Sequence, residues 1–153
     1  MYDRILVPTD GSAIARDAVA HAIEIGSYRN AEIHALFVAD TAAINISLGP
    51  EQVDRIRQGK FSEMTELREE AETATSFVVD NAQEAGLSTE VHHAGGMPHR
   101  VIAKFAKKHD IDLIVMGSHG RSGVKRALLG SVTERTLRTT NVPVLVVGYH
   151  DDD

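Results

Sequence analysis

At 153 residues, with 42% apolar and 25% charged side chains, the chain is long enough to bury a core and too hydrophobic for intrinsic disorder. The absence of cysteine excludes disulfides, thiolate nucleophiles and cysteine-bound zinc. A formal net charge of −6 argues against general nucleic-acid binding, and no apolar run reaches the roughly 18 residues of a membrane span. No secretory leader precedes the first strand, so the expectation is a single cytoplasmic domain over residues 1–153.

Arg4-Ile5-Leu6-Val7 is predicted to be a short strand. Ala15, Val19, Ala22 and Ile23 then recur at helical spacing, with Ser12 as N-cap and Gly26 near the stop. Residues 33–38 read as a second strand. Residues 40–60, with Gly49-Pro50 and Gly59, are the least regular stretch and are expected to be mobile. Leu67, Ala71, Ala74 and Val78 mark a long helix ending near Gly86. Thr89-Glu90-Val91-His92 is a weaker strand, and Pro98 suits the first turn of a helix carrying Val101, Ile102, Phe105 and Ala106. Leu113-Ile114-Val115-Met116 is a buried strand. A last helix follows Ser131, which forms an S-x-x-E capping box with Glu134, and Val144-Leu145-Val146-Val147 closes the chain as a strand.

Strands alternating with helices imply an α/β fold: a mainly parallel sheet with helices on both faces. Ligands of such sheets bind beyond the carboxyl ends of the strands, where the strand order reverses. Two loops stand there: Pro8-Thr9-Asp10-Gly11-Ser12, and the stretch 117–132, which contains Gly117, Gly120, Gly123 and Gly130. The two share one crevice if the first and fourth strands are neighbours.

A glycine-rich loop running into a helix N-terminus suits phosphate, because glycine lets backbone N–H groups approach and the helix dipole favours negative charge. Arg121, Lys125 and Arg126 add cations to the stretch. The competing reading is a flexible, solvated connection. The pattern lacks the G-x-x-x-x-G-K-[ST] of P-loop NTPases, and the first loop, with Gly11 alone, lacks the G-x-G-x-x-G of dinucleotide folds. Pro8 occupies the position of the attacking carboxylate in a D-x-D-G-T phosphatase loop, which removes that chemistry. Asp10 either accepts ribose hydroxyls or serves as a turn residue. The eight histidines show no metal-ligand spacing; His92 and His93 are adjacent and point to opposite faces of a strand, and His119 lies in the glycine loop. No nucleophile–base arrangement is evident, and Asp10 is too isolated for a receiver-type acidic pocket.

Over nearly its whole length the chain resembles the universal stress protein family. That family's ATP-binding branch carries Gly, two residues, Gly, nine residues, then Gly-Ser or Gly-Thr, matched here by Gly117, Gly120 and Gly130-Ser131. The opening Ile5-Leu6-Val7-Pro8-Thr9-Asp10-Gly11-Ser12, the stretch Asp112-Leu113-Ile114-Val115-Met116-Gly117 and the closing Asn141-Val142-Pro143-Val144-Leu145-Val146-Val147 are similar to its first, fourth and last strands. The resemblance implies a Rossmann-like α/β/α sandwich with a five-stranded parallel sheet that binds ATP, and admits Mg2+ with the phosphates. By position, Asp10 would hold the ribose, Pro8 and Thr9 would line the adenine side, and Val38 would contact adenine. Met116 would border the pocket, and Gly117, Gly120, Gly130, Ser131 and Val132 would surround ribose and phosphates. Core packing is the competing role of Val38 and Met116. A regulatory protein with weak ATP hydrolysis at most is implied; the alternative is an adenylyl-transfer or phosphotransfer enzyme. The apolar last strand, expected at a sheet edge, suggests a homodimer through Val144, Leu145, Val146 and Val147, as does the family.

Overall fold

Strands β1 (Arg4–Pro8), β2 (Glu32–Asp40), β3 (Thr89–Gly96), β4 (Leu113–Gly117) and β5 (Val144–Val147) pair in parallel, in the order β3-β2-β1-β4-β5. The computed structural model describes residues 1–42, 49–61, 64–119 and 129–148. Gly120, Arg121, Gly123, Lys125 and Arg126 of the glycine stretch lie outside the described residues. From β1 the chain steps to β2 and β3 on one side, then to β4 and β5 on the other, so the strand order reverses between β1 and β4. The first and fourth strands are therefore neighbours, as the shared-crevice reading requires.

The central strands β1 and β4 are largely apolar because helices cover both faces of the sheet, whereas the edge strand β3 carries Glu90, His92 and His93. Helices α1 (Ala13–Ser27) and α3 (Thr65–Glu84) pack Ala18, Val19, Ala22, Val78 and Ala82 against Ile5, Val7, Ile33, Ala35 and Val115. On the other face α4 (Pro98–Lys108) sets Ile102 and Ala106 against Leu6, Leu36, Ile114 and Met116, and Val132 of α5 (Ser131–Thr139) packs beside them. Ile5, Leu6, Ile33 and Ile114 are fully buried, each contributing about 1.5–3 kcal/mol of transfer free energy. The sheet centre is thus a rigid base for the loops at its carboxyl end.

Ser12 caps α1 as expected, its side chain accepting from the Ala15 N–H at 3.3 Å. Gly26 lies inside the last turn of α1, where a Cβ would come within 3.2 Å of Ile33 and 3.3 Å of Leu87. It serves close packing of the helix on β2. Pro98 opens α4, and α3 stops before Gly86, which has a φ of +77°.

Two expectations need correction. Residues 40–60 were expected to be mobile, but helix α2 (Pro50–Arg57) lies within them; residues 43–48 are outside the description. Ile56 and the following Phe61 are buried against Phe37 and Ala39. This anchoring is non-local: a Cβ on Gly95 of β3 would collide with the Ile56 carbonyl, and one on Gly59 with the His93 carbonyl. Glycine at both positions lets α2 lie directly on the end of β3. The second correction concerns α5. Its N-cap is Gly130, in extended geometry at φ −63° and ψ 156°, and Ser131 is already helical. The capping box does not form. The Gly130 N–H is held by the Ser118 carbonyl at 2.7 Å, and Glu134 turns outward to Arg138 at 3.0 Å. The chain therefore enters the helix one residue earlier than the capping motif suggests.

Candidate functional site

An open cleft of about 730 Å³ lies at the carboxyl ends of β1, β2 and β4, where the strand order reverses. Pro8, Thr9 and Asp10 line it from the β1 loop, Val38 from β2, and Met116 and Gly117 from β4. Gly130, Ser131 and Val132 line it from the start of α5. All of the site residues named from the sequence therefore meet there, except Gly120, which lies outside the described residues. The volume falls in the range of small-molecule sites, about 300–1,000 Å³.

The β1 loop is held by a backbone bond to β2 and by two of its own side chains. The Thr9 N–H donates to the Leu36 carbonyl at 2.9 Å, continuing the β1–β2 pairing past Pro8. Thr9 Oγ1 then accepts from the Gly11 N–H at 3.1 Å, and Asp10 Oδ1 from the Ser12 N–H at 2.9 Å. Gly11 adopts a φ of +79°, which a side chain would disfavour. Asp10 is thus a turn residue, as one of its two sequence readings expected, and it also lines the cleft.

The opposite wall is tied at both ends of the glycine stretch. Ser118 N–H donates to the Val147 carbonyl at 2.8 Å, and the Ser118 carbonyl accepts from Gly130. The buried Thr133 hydroxyl donates to the Gly117 carbonyl at 2.8 Å. These bonds fix where the chain leaves β4 and where it enters α5. Gly130 offers no side chain to the first turn of the helix, so among the described residues that turn has no N-cap side chain at the cleft wall. A helix end of this kind, with its partial positive charge, is suited to an anion.

Gly117 answers to packing. A Cβ there would lie 3.0 Å from two side-chain carbons of Ile14, so glycine lets α1 close on the end of β4. Met116 is buried in the core under α4, and half-buried Val38 packs on the same cluster. Both are core residues that also give the cleft an apolar floor. Sequence reasoning missed Ala39, Asp40, Pro98 and Leu129 as lining residues. Asp40 ends β2 as Asp10 follows β1, and that shared placement was the available signal. His119 also lines the cleft, with Nδ1 3.1 Å from Ser118 Oγ.

His92 and His93 do point to opposite faces. His92 packs on Phe105, with ring centroids 4.5 Å apart, and His93 stacks on Phe61 at 5.8 Å. Among the described residues, no helix is long and apolar enough to cross a membrane.

The chain has relatives among known proteins. It is 37% identical over 148 residues to universal stress protein MJ0531 of Methanocaldococcus jannaschii, covering 96% of this chain and 82% of that protein. It is 33% identical to MJ0577 of the same organism, covering 96% and 95%. The solved structure of MJ0577 superposes with a TM-score of 0.79 over 99% of both chains, at 31% identity. The universal stress protein family model matches residues 1–148, and with the five-stranded parallel sheet and these relatives it establishes that the chain belongs to that family.

Proposed function

We propose that the cleft binds ATP and that the chain acts as a nucleotide-dependent regulatory protein in the cytoplasm, with weak hydrolysis at most. The observation that carries this reading is the convergence of a carboxylate loop and an uncapped helix start at the β1/β4 switch point. In this reading Asp10 holds the ribose, Pro8, Thr9 and Val38 flank adenine, and Met116 borders the base. Gly117, Gly120, Gly130, Ser131 and Val132 surround the ribose and phosphates, and Mg2+ accompanies the phosphates. The cations Arg121, Lys125 and Arg126 belong to the same stretch of sequence. The protein acts as a homodimer through β5.

The rival is an adenylyl-transfer or phosphotransfer enzyme, which needs a positioned base or an acceptor site. Incubation with ATP followed by chromatography separates the two. Recovery of mostly intact ATP is expected; rapid release of AMP and pyrophosphate would support the enzyme. Identifying the nucleotide that co-purifies with the protein tests the ligand itself.

Two further results are expected. NAD should compete poorly against ATP in a displacement assay, because Gly11 alone cannot supply the three-glycine turn of a dinucleotide site. Equal competition would assign the cleft to dinucleotides. Asp10→Ala should weaken ATP binding more than 2′-deoxy-ATP binding, since the lost contact is to ribose hydroxyls. Hydrogen bonds to a charged group contribute about 1.5–3 kcal/mol, or roughly tenfold and upward in affinity. Alanine also removes the acceptor for the Ser12 N–H, so Asp10→Asn is the companion variant that can keep the turn. Equal losses for both nucleotides would remove Asp10 as a 2′-hydroxyl ligand.

A further inference from the structure

Strands β2 and β3 each carry the pattern Glu-x-His, as Glu32-Ile33-His34 and Glu90-Val91-His92. Alternation places both members of each pair on one face, and the register sets His34 opposite Glu90. His34 Nδ1, His92 Nε2 and Glu90 Oε2 thereby form a nearly equilateral triangle. Its sides are 3.3 Å between the histidines, 3.3 Å from His34 to Glu90 and 3.4 Å from His92 to Glu90. Ligand atoms about 2.0–2.1 Å from a tetrahedral ion stand about 3.3–3.4 Å apart. We propose that His34, His92 and Glu90 bind a divalent transition-metal ion of the zinc class, with a solvent molecule as fourth ligand.

Three observations support the site. The His34 Nε2–H donates to Glu32 Oε1 at 2.6 Å, which leaves the Nδ1 lone pair directed at the triangle. A carboxylate that fixes the tautomer of a ligating histidine is the usual outer partner of a zinc site. The contacts inside the triangle are all longer than well-formed hydrogen bonds, about 2.7–3.2 Å, whereas the Glu32 contact is short. The triangle thus has the spacing of donors around a shared centre. Finally, burial is graded: the His34 side chain is 3% exposed, His92 25% and Glu90 52%. The inner ligand is held rigidly while the outer side stays open for entry and for water. Phe105 and His109 pack over the two histidine rings. The site lies toward the amino end of β2, away from the cleft at the carboxyl ends, and would clip the edge strand β3 to β2.

The test uses the full chain without an affinity tag and without nucleotide. Zn2+ is titrated against a chromophoric chelator, and Co2+ is added separately to read coordination from its visible spectrum. One ion per chain and a tetrahedral Co2+ spectrum are expected, with no displacement by excess Mg2+. His92→Gln and Glu90→Gln should each weaken Zn2+ binding at least tenfold, and Glu32→Gln by about 10–100-fold through loss of the tautomer lock. His21→Gln, on the exposed side of α1, should leave affinity unchanged. Zn2+ should raise the melting temperature of the wild type and not that of His92→Gln. Glu90 is half exposed, so Glu90→Gln keeps the test valid should a histidine variant fail to fold. Non-saturating uptake, an octahedral Co2+ spectrum, or equal affinity in folded Glu90→Gln would overturn the site.

Discussion

Gly130→Asp is expected to lower ATP affinity at least tenfold, about 1.4 kcal/mol or more, while the protein stays folded. Gly130 is the N-cap of α5 and supplies no side chain to the helix start. Aspartate is among the best N-cap residues, because its carboxylate accepts from the N–H groups of the first turn. In the proposed complex those donors face phosphate, so the new carboxylate would take the phosphate's partners and repel its charge. The same substitution should therefore favour the helix and disfavour the ligand, an unusual pairing that separates a binding defect from misfolding. A steric effect is superimposed. A Cβ at residue 130 would stand 2.9 Å from His119 Cα and 3.2 Å from its Cβ, so any side chain pushes on the start of the glycine stretch. Gly130→Ala measures that part alone and should cost less than Gly130→Asp. Calorimetry on both variants, with thermal melting as the folding control, gives the comparison. Unchanged ATP binding by a folded Gly130→Asp would remove the helix start from the site, and equal losses in both variants would leave only the steric effect.

The parts of this architecture that were legible in the sequence are those written in local pattern. The apolar runs at residues 113–116 and 144–147 are strands because both sheet faces are covered, and Ser12 caps α1 because its hydroxyl needs only the nearby Ala15 N–H. That the β1 loop and the glycine stretch share one crevice could be read because each follows a strand and parallel topology puts both at one end of the sheet, whereas Pro8, Thr9, Val38, Met116 and Val132 were named through the family resemblance. What was not legible depends on contacts distant in sequence. Helix α2 has few apolar residues of its own; Val53 and Ile56 alone are aliphatic besides Pro50, and the helix is held by a landing site at Gly95. Ser131 and Glu134 satisfy the capping pattern on paper, but the Ser118 carbonyl holds Gly130 in place and moves the helix start by one residue. Gly117 fits a phosphate motif and is also required by the approach of Ile14. The histidines have no ligand spacing along the chain; the register of β2 on β3 brings two of them together.

Val146→Pro is expected to weaken a homodimer formed by antiparallel pairing of two β5 strands about a two-fold axis. β5 is at the sheet edge, and Val144, Leu145 and Val146 are only half-buried there. Such a strand is a template for pairing unless charged or covered, and no charge interrupts the run before the chain's last few residues. The hydrogen bonds decide which position to change. The Pro143 carbonyl accepts from Ile114 N–H at 2.9 Å, and the Val147 carbonyl from Ser118 N–H at 2.8 Å. Odd-numbered residues of the strand therefore face β4, and by alternation the N–H of Val146 faces the open edge. Proline at 146 removes that donor and adds ring bulk at the edge without breaking a bond to β4. The two-fold axis makes each substitution count twice. At about 0.5–1.5 kcal/mol net per hydrogen bond, two lost donors correspond to roughly 1–3 kcal/mol, so the dimer's dissociation constant should rise by about 5- to 150-fold. Val146→Ala retains the N–H and should remain dimeric. Light scattering across micromolar concentrations reads both variants, with ATP binding as the check that each is folded. A wild-type monomer mass with or without ATP would refute the dimer, and a dimer unaffected by folded Val146→Pro would move the interface away from β5.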